Sequence, residues 1–377
     1  MNKIQMVDLQ AQYQQIKSEI DTAIAEVLES AAFIGGAQVK QFAQELAAYL
    51  GIKHVIPCAN GTDALQIVLM AYNFPKGSEI IVPSFNYVAA VEVIALMGLV
   101  PVFVEVEPNY FCLDTAQIEA LITPKTVAIL PVHLFGQGAD LEQVMQIASR
   151  HQLVVIEDTA QSIGAKFTFS DGTAQPLGGI GHVGTTSFFP SKNLGCMGDG
   201  GAIFTNDDAL ATQMQMIANH GQKQKYTYQI VGINSRLDTI QAAILRVKLK
   251  YLTAYTAARQ KAADFYDEHL SNVPNVQIPA RRTGSTHVFH QYTLLLENKT
   301  VRDRVKATLA EVGVPSMSYY PSPLHLQQAY SYLGYEKGSL PLSESFCERV
   351  LALPMHTELT EEQQAYIVEQ LKLALKS

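Results

Sequence analysis

The feature of this chain that most limits its possible folds is an alternation of short apolar runs with longer amphipathic stretches. The apolar runs "EIIVP", "VPVFVEVE", "TVAILPVHLFG" and "LVVIEDTA" have the composition of buried strands. The stretches "QVKQFAQELAAYLG", "GTDALQIVLMAY", "NYVAAVEVIALMG" and "DLEQVMQIASRH" have helical spacing. Strands and helices in this order are typical of a mostly parallel sheet covered on both faces, so the pattern predicts an α/β fold.

The pattern changes after a long helical stretch, "NSRLDTIQAAILRVKLKYLTAYTAARQKAADFYDEHL". It is followed by an apolar run in "HVFHQYTLLLE", a helical pattern around "VRDRVKATLAEVG" and proline-rich loops. We place a domain boundary inside the long helix, near residue 250. This predicts a large domain of residues 1–250 and a smaller α+β domain of residues 251–377.

Composition excludes several classes of protein. The formal net charge is −8, and the chain contains no basic run of the kind that follows a phosphate backbone, which argues against a nucleic-acid partner. No apolar stretch is long enough to span a bilayer, and the start of the chain does not resemble a signal peptide. The four cysteines lie far apart in the sequence, which argues against a disulfide framework and a zinc site. They are Cys58, Cys112, Cys196 and Cys347. We therefore expect a soluble cytoplasmic protein without a bound metal.

The segment "SFFPSKNLGCMGDGGAIFTND" contains one lysine, Lys192, among glycines and just before an apolar strand-like run. A buried lysine is unfavourable unless it is paired or used covalently. Desolvation lowers the pKa of a lysine and frees its lone pair for imine chemistry. Since most lysines are solvated surface charges, this interpretation depends on the surrounding residues, among them the hydroxyls of Ser187 and Ser191.

Three further features are consistent with a phosphorylated aromatic cofactor. Gly61 and Thr62 open a helix whose free N–H groups favour an anion, although an ordinary helix cap is the better explanation of this motif taken alone. Asp158 ends an apolar strand, where it could hold a protonated ring nitrogen or simply cap a helix. Tyr87 follows the strand "EIIVP" and could stack on a flat ring or pack in the core.

The order and spacing of these motifs resemble the pyridoxal-phosphate-dependent sugar-nucleotide aminotransferases (DegT/DnrJ/EryC/StrS-like). The resemblance runs nearly end to end, through "FIGGAQVKQFAQELAAYLG", "PVHLFGQGADLEQV", "IEDTAQSIGA", "SFFPSKNLGCMGDGG" and "GINSRLDTIQAAIL". It implies the aspartate-aminotransferase fold (fold type I). The chain is most similar to the branch that aminates UDP-2-acetamido-2-deoxy-3-oxo-glucuronate, which implies a role in bacterial surface polysaccharide such as lipopolysaccharide O-antigen.

The resemblance also implies residue roles. Lys192 would form an imine with pyridoxal phosphate and act as the general acid and base, and Asp158 would keep the pyridine nitrogen protonated. The remaining cofactor contacts would come from Gly61, Thr62, Ser187, Tyr87 and Gln161, the first three at the phosphate and the last two on the ring. An amino group would pass from L-glutamate, leaving 2-oxoglutarate and pyridoxamine phosphate, to a keto-sugar nucleotide.

Members of this family build the site across a homodimer. The matching residues here are Asn234, which would reach the partner's cofactor phosphate, and Arg236, which would offer a planar fork to a carboxylate or phosphate. Without the resemblance, the simplest interpretation of Arg236 is a surface ion pair with Asp238.

The segment "SMSYYPSPLHLQ" supplies the predicted sugar contacts Tyr319, Tyr320 and His325. Close relatives commonly carry His-Tyr where this chain has Tyr319-Tyr320, a difference that bears on which sugar is bound. We interpret His133, by contrast, as a structural residue at a strand end.

Lys192 and Asp158 distinguish this chain from two other classes of protein. A dehydratase of the same fold would carry histidine at the position of Lys192, and a non-catalytic regulator would be expected to lose Lys192 or Asp158. An aminotransferase for 3-keto or 4-keto deoxysugar nucleotides stays open as an alternative to the uronate.

Overall fold

The structure is a computed structural model that describes residues 3–376. Its helices are α1 Leu9–Gln15, α2 Lys17–Ser30, α3 Ala37–Leu50, α4 Gly61–Tyr72, α5 Ala89–Leu96, α6 Thr115–Leu121, α7 Leu141–His151, α8 Asp208–Ala218, α9 Thr239–Leu249, α10 Leu252–Leu270, α11 Lys299–Glu311, α12 Pro341–Arg349 and α13 Glu361–Lys376. Its strands are β1 His54–Cys58, β2 Glu79–Pro83, β3 Val100–Val104, β4 Thr126–Ile129, β5 Val154–Asp158, β6 Lys166–Thr168, β7 Ala174–Pro176, β8 Val183–Ser187, β9 Gly201–Thr205, β10 Gln222–Gln224, β11 Thr227–Tyr228, β12 Val276–Gln277, β13 Tyr292–Leu296 and β14 Val350–Leu353.

A seven-stranded sheet organises the larger part of the chain, with strand order β1-β9-β8-β5-β4-β2-β3. Strand β9 is antiparallel to both of its neighbours, β1 and β8. The pairs β8–β5, β5–β4, β4–β2 and β2–β3 are all parallel. The predicted α/β fold with a mostly parallel sheet is therefore confirmed.

Both faces of this sheet are buried, which explains why its strands are continuous apolar runs. In β2, Ile80 and Val82 belong to one hydrophobic cluster, while Ile81 between them belongs to another. The first cluster includes Val68 of α4 and the second includes Val144 of α7. Successive side chains of a strand point to opposite faces, so helices must cover each face.

The C-terminal part forms a separate hydrophobic cluster around a three-stranded antiparallel sheet of β12, β13 and β14. Tyr266 of α10, Leu294 of β13 and Leu351 of β14 are buried together in this cluster. Leu309 of α11 and Leu371 of α13 complete its helical side.

The single long helix expected across this region is wrong, because the chain forms two helices, α9 and α10. Between them, Lys250 N–H donates to Val247 O and Tyr251 N–H donates to Lys248 O. These bonds span three residues instead of four, so the chain tightens and the helix axis is interrupted. The boundary placed near residue 250 falls at this break and stays a prediction.

All four cysteines are buried and free. Within residues 3–376, no helix combines the length and the apolar composition needed to cross a membrane.

Candidate active site

The carboxyl ends of the central strands bring the predicted cofactor residues to one edge of the sheet. Asp158 ends β5 and lies in register with Thr185 of β8, two residues before Ser187. Gly201 of β9 lies opposite both Ser187 and Cys58. Because α4 begins shortly after Cys58, its N-terminus meets the same edge, the usual position of ligand sites in α/β sheets.

The start of α4 forms an amide-lined cradle next to Ser187. The Asn60 side chain caps the helix by accepting a hydrogen bond from Asp63 N–H at 2.8 Å. Gly61 and Thr62 follow the cap, where backbone N–H groups have no partner within the helix. A Cβ on Gly61 would lie 2.8 Å from Cβ of Ser187, so only glycine permits this approach. The residues present therefore fit a phosphate group.

Lys192 lies half-buried on the loop between β8 and β9, and its backbone N–H donates to Phe189 O at 2.8 Å. The loop closes tightly, since a Cβ on Gly195 would lie 2.3 Å from Pro190 O. Burial lowers the pKa of Lys192 to about 8, and the opposing charge of Asp158 limits this fall. A substantial fraction of the amine is consequently neutral near physiological pH, as a nucleophile for carbonyl carbon requires.

Asp158 is 8% exposed and accepts a hydrogen bond from Ala160 N–H at 2.9 Å. Burial raises the pKa of its carboxyl, while the hydrogen bond from Ala160 N–H and the charge of Lys192 oppose the rise. Its carboxylate has no ion pair within 4 Å among residues 3–376. A protonated ring nitrogen would supply the missing cationic donor.

Behind Asp158, His133 is fully buried with both ring nitrogens hydrogen-bonded, and its structural role stays a prediction. Its Nδ1 accepts a hydrogen bond from Ala139 N–H at 3.1 Å, so Nε2 carries the proton and donates to Glu157 at 3.0 Å. The Glu157 carboxylate also accepts three backbone N–H bonds, from Gly178, Ile180 and Gly181.

The other side of the site is aromatic. Gln161 accepts a hydrogen bond from Phe135 N–H at 2.7 Å and donates to Tyr320 Oη at 3.1 Å. The ring of Tyr320 lies 6.1 Å from that of Tyr87 and 5.9 Å from that of Tyr319. Burial raises the pKa of Tyr320 and of Tyr319, so both phenols stay protonated donors at neutral pH. Tyr87 is 57% exposed in the single chain, which leaves its ring free to cover a planar ligand.

His325 is held between the end of β2 and α12. It is 1% exposed, with Nδ1 bonded to Ser84 Oγ at 2.6 Å and Nε2 to Glu344 at 3.2 Å. Ser84 directly follows β2, and Glu344 belongs to α12. These contacts join the large sheet to the C-terminal part, and a role of His325 in sugar binding stays a prediction.

Asn234 and Arg236 are exposed on the segment that leads into α9. The alternative ion pair is not formed, since no ion pair of Arg236 with Asp238 or any other acid occurs within residues 3–376. The preceding hairpin of β10 and β11 and the segment after it also expose large apolar side chains, with Tyr226 of the hairpin 75% and Val231 of the segment 86% exposed. Exposed apolar groups next to an unpaired guanidinium are typical of an interaction surface.

Sequence reasoning missed two residues next to Lys192. Asn193, 4% exposed, donates to Val288 O at 2.9 Å and contacts the ring of His290 at 3.2 Å. The available signal was a pair of polar residues, His290 and Gln291, inside the apolar run "HVFHQYTLLLE". Their distance from Lys192 along the chain concealed the contact.

Three features define the class of this protein: a lysine on the β8–β9 loop, an acid at the end of β5 and an amide cradle at the start of α4. They are typical of the pyridoxal-phosphate-dependent enzymes of the aspartate-aminotransferase fold, fold type I. Residues 14–372 match the DegT/DnrJ/EryC1/StrS aminotransferase family, and the chain belongs to this family.

Three relatives cover nearly the whole chain. The chain is 47% identical to the pleiotropic regulatory protein of Geobacillus stearothermophilus, over 98% of this chain and 97% of that one. It is 45% identical to UDP-2-acetamido-2-deoxy-3-oxo-D-glucuronate aminotransferase of Pseudomonas aeruginosa, over 94% and 96%. It is 43% identical to UDP-N-acetyl-3-dehydro-alpha-D-glucosamine 3-aminotransferase of Acidithiobacillus ferrooxidans, over 99% and 98%.

Two solved structures are similar over the full length of this chain. The S. venezuelae DesV, in complex with a ketimine intermediate, has 36% identity and a TM-score of 0.95, with 100% of both chains covered. The Bacillus subtilis NtdA, with bound cofactor PMP, has 31% identity and a TM-score of 0.90, with 100% of this chain and 86% of that chain covered. The present chain is therefore a pyridoxal-phosphate-dependent sugar aminotransferase.

Proposed function

We propose that this enzyme transfers an amino group from L-glutamate to UDP-2-acetamido-2-deoxy-3-oxo-glucuronate, a cytoplasmic step toward bacterial surface polysaccharide such as lipopolysaccharide O-antigen. The observation that carries the proposal is the exposed, unpaired guanidinium of Arg236, which matches the carboxylate that distinguishes a uronate from a neutral sugar. The similarity to the Pseudomonas aeruginosa relative over nearly the whole chain supports the same substrate.

In this proposal the cofactor residues divide by chemistry. Gly61 and Thr62 at the start of α4 and Ser187 at the end of β8 would bind the phosphate through N–H and hydroxyl donors. Tyr87 would cover one face of the ring and Gln161 would contact the other. The bound pyridoxal phosphate supplies an electron sink that stabilises negative charge at the carbon next to the transferred nitrogen.

Lys192 and Asp158 carry the chemical steps. Lys192 would hold the cofactor covalently, and its amine, when free, would accept and return the proton at Cα of glutamate. The lowered pKa of about 8 suits this task, since the amine must both accept and release a proton near neutral pH. Asp158 would face the ring nitrogen and keep that nitrogen protonated.

The proposal includes a homodimer in which Asn234 and Arg236 of one subunit complete the other subunit's pocket. Both side chains are exposed in the single chain. An amide donor suits the cofactor phosphate, and a guanidinium suits the sugar carboxylate, because its fork matches two oxygens. Exposed Tyr226 on the adjoining hairpin and Val231 after it would be buried by the partner.

A second candidate substrate is the neutral sugar UDP-N-acetyl-3-dehydroglucosamine. It is favoured by the similarity to the Acidithiobacillus ferrooxidans relative and by Tyr319, an uncharged phenol where close relatives commonly carry histidine. Tyr319 lies half-buried beside Tyr320, and both can donate a hydrogen bond to a sugar hydroxyl.

The experiment compares wild type and Arg236→Ala with both UDP-keto-sugars and with 3-keto and 4-keto deoxysugar nucleotides, reading products by mass. We expect wild type to aminate the uronate best. The variant should lose about tenfold or more in kcat/KM for the uronate while the glutamate half-reaction changes little. Preference of wild type for a neutral sugar, or equal losses in both halves, would contradict the proposal.

A further inference from the structure

Helix α9 contacts the loop between β8 and β9, called the lysine loop from here on, at two points. Gln241 Oε1 accepts a hydrogen bond from Met197 N–H at 2.8 Å, and Gln241 Nε2 donates to Met197 O at 3.3 Å. Further along the helix, Lys248 Nζ donates to Gly195 O at 2.8 Å. Positions 241 and 248 are two helical turns apart and therefore lie on the same face of α9. One face of this helix thus binds the second half of the loop that carries Lys192.

The contact of Gln241 is close and specific. Its amide pairs with both backbone groups of Met197, which belongs to no helix or strand and so needs partners from elsewhere. A Cβ on Gly198 would lie 2.9 Å from Gln241 Nε2, so the loop backbone lies directly against the side chain. Replacing Gln241 by an apolar residue would leave the Met197 groups without these bonds.

Lys248 is a buried cation without an acidic partner. It is 4% exposed and forms no ion pair within residues 3–376. Burying an unpaired ammonium costs free energy, and its place in the last turn of α9 offsets only part of this cost. Its hydrogen bond to the carbonyl of Gly195, which is buried and needs a donor, explains why a lysine occupies this position.

The anchored half of the lysine loop is packed against the half that carries Lys192. A Cβ on Gly195 would clash with Pro190 O, so the chain returns to within contact of itself there. Lys192 lies between these two residues, and its backbone N–H donates to Phe189 O at 2.8 Å. A shift of Gly195 would therefore displace the turn that carries Lys192.

We propose that Gln241 and Lys248 are positioning residues that fix the lysine loop, so that the Lys192 amine keeps one place in the site whether or not it is bonded to the cofactor. Both act through the loop backbone, Gln241 at Met197 and Lys248 at Gly195. The proposal rests on the covalent role of Lys192 proposed above. A fixed loop matters because a small misplacement of a reacting group slows catalysis strongly.

Two substitutions remove the two contacts. Gln241→Met keeps the length of the side chain and removes both hydrogen bonds to Met197. Lys248→Met also keeps the length and removes the donor to Gly195 O. Urea unfolding of each apoprotein measures how much stability is lost, so that effects on Lys192 can be compared at similar destabilisation.

Two further variants on α9 are matched controls. Lys250→Met makes the same chemical change as Lys248→Met, at the exposed C-cap of the helix. Arg246→Met removes two hydrogen bonds from Arg246 Nε to the Glu45 carboxylate on α3, at 3.0 and 2.9 Å. It weakens the packing of α9 while leaving both loop contacts in place.

The first readout uses the apoprotein, in which acylation of Lys192 by a small reagent is followed against pH by mass spectrometry. Gln241→Met should raise the pKa of Lys192 by about 1, because a loosened loop admits water and lessens the desolvation that lowers this pKa. Lys248→Met should raise it as well, partly because a neighbouring positive charge is lost. Gln241→Met replaces one neutral side chain by another and therefore isolates the effect of loop position.

The second readout is the single-turnover glutamate half-reaction of the loaded enzyme. Gln241→Met and Lys248→Met should slow it about tenfold with unchanged glutamate affinity, while Arg246→Met and Lys250→Met should match wild type. An unchanged Lys192 pKa in Gln241→Met, or an equal rise in Arg246→Met, would overturn the proposal. If wild type fails to react with glutamate while the Lys192 pKa changes as expected, the proposed function fails and the positioning of the loop stands.

Discussion

Gly61 and Ser187 approach each other so closely that a Cβ atom on Gly61 would lie 2.8 Å from Cβ of Ser187 and 3.4 Å from its Oγ. Gly61 opens α4 and Ser187 ends β8, so this contact sets the helix N-terminus against the sheet edge. Any side chain at Gly61 would push the amide cradle away from the serine hydroxyl, with which we propose it shares the cofactor phosphate.

We expect Gly61→Ala to destabilise the apoprotein by about 1–3 kcal/mol, the usual result of overpacking a tight contact. Urea unfolding of the apoprotein measures this, and fluorescence titration should find weaker cofactor binding. The double variant Gly61→Ala/Ser187→Gly removes the clashing atom and should regain most of the stability. A single variant as stable as wild type would mean that the cradle is looser than the structure shows.

We expect Lys192→Ala to abolish turnover while the protein still binds cofactor, because the phosphate and ring contacts remain. Its absorbance spectrum should lack the band of the lysine-bound cofactor. Lys166→Ala, at an exposed position on β6, is the matched control and should behave like wild type. Appreciable turnover by Lys192→Ala would remove Lys192 from the mechanism.

Asp158→Asn should fold normally and lose most activity. The amide is nearly isosteric and can still accept from Ala160 N–H, but it cannot stabilise a protonated pyridine nitrogen. Circular dichroism measures whether the variant folds normally, and steady-state kinetics measures the loss of activity. Asp171→Asn, at an exposed turn, controls for loss of a carboxylate. A near-normal rate in Asp158→Asn would assign the acid a structural role only.

The buried Lys248 predicts a pH dependence of stability. Its ammonium donates to Gly195 O at 2.8 Å on the lysine loop, and burial lowers its pKa to about 8. Between about pH 8 and 10.5 the unfolded chain binds the proton that the folded chain has released, so stability rises with pH. The contribution is at most about 1.4 kcal/mol per pH unit.

Comparison with Lys248→Met isolates this contribution, because methionine has a similar length and cannot be charged. The stability of wild type relative to Lys248→Met, from urea unfolding of both apoproteins, should increase from pH 8 to 10.5. A difference that stays constant over this range would show that Lys248 has an ordinary pKa.

The proposed sharing of the active site between subunits predicts complementation between two inactive variants. Lys192→Ala and Arg236→Ala homodimers should each be badly impaired in uronate amination. In a hybrid dimer, one pocket carries both lesions and the other carries neither. Refolding an equal mixture makes about half of the dimers hybrid, so roughly a quarter of all pockets should be intact. Activity should rise to about that fraction.

Hybrid formation can be checked with two affinity tags. If the hybrids form and activity does not recover, both residues belong to the same pocket of one chain and the interface model is wrong.

The sheet was predictable because strand burial leaves a local signal. The run "EIIVP" became β2, with Ile80, Ile81 and Val82 buried on alternating faces, and "LVVIEDTA" became β5 with Asp158 at its end. The order of such runs is enough to indicate parallel strands joined by helices. The sequence did not predict the break between α9 and α10, because the residues on both sides of it favour a helix. The break is marked only by two backbone hydrogen bonds that connect residues three apart and not four.

Sequence by itself determined which residue types the site contains, since the motif around Lys192, the acid at Asp158 and the helix start at Gly61 are each local. Tertiary structure decided their surroundings: the loss of water that brings the pKa of Lys192 to about 8, the 2.8 Å limit between Gly61 and Ser187, and the contact of His290 with Asn193. These depend on segments far apart in the chain. Desolvation and close contact arise only when distant segments pack together, and no local pattern encodes them.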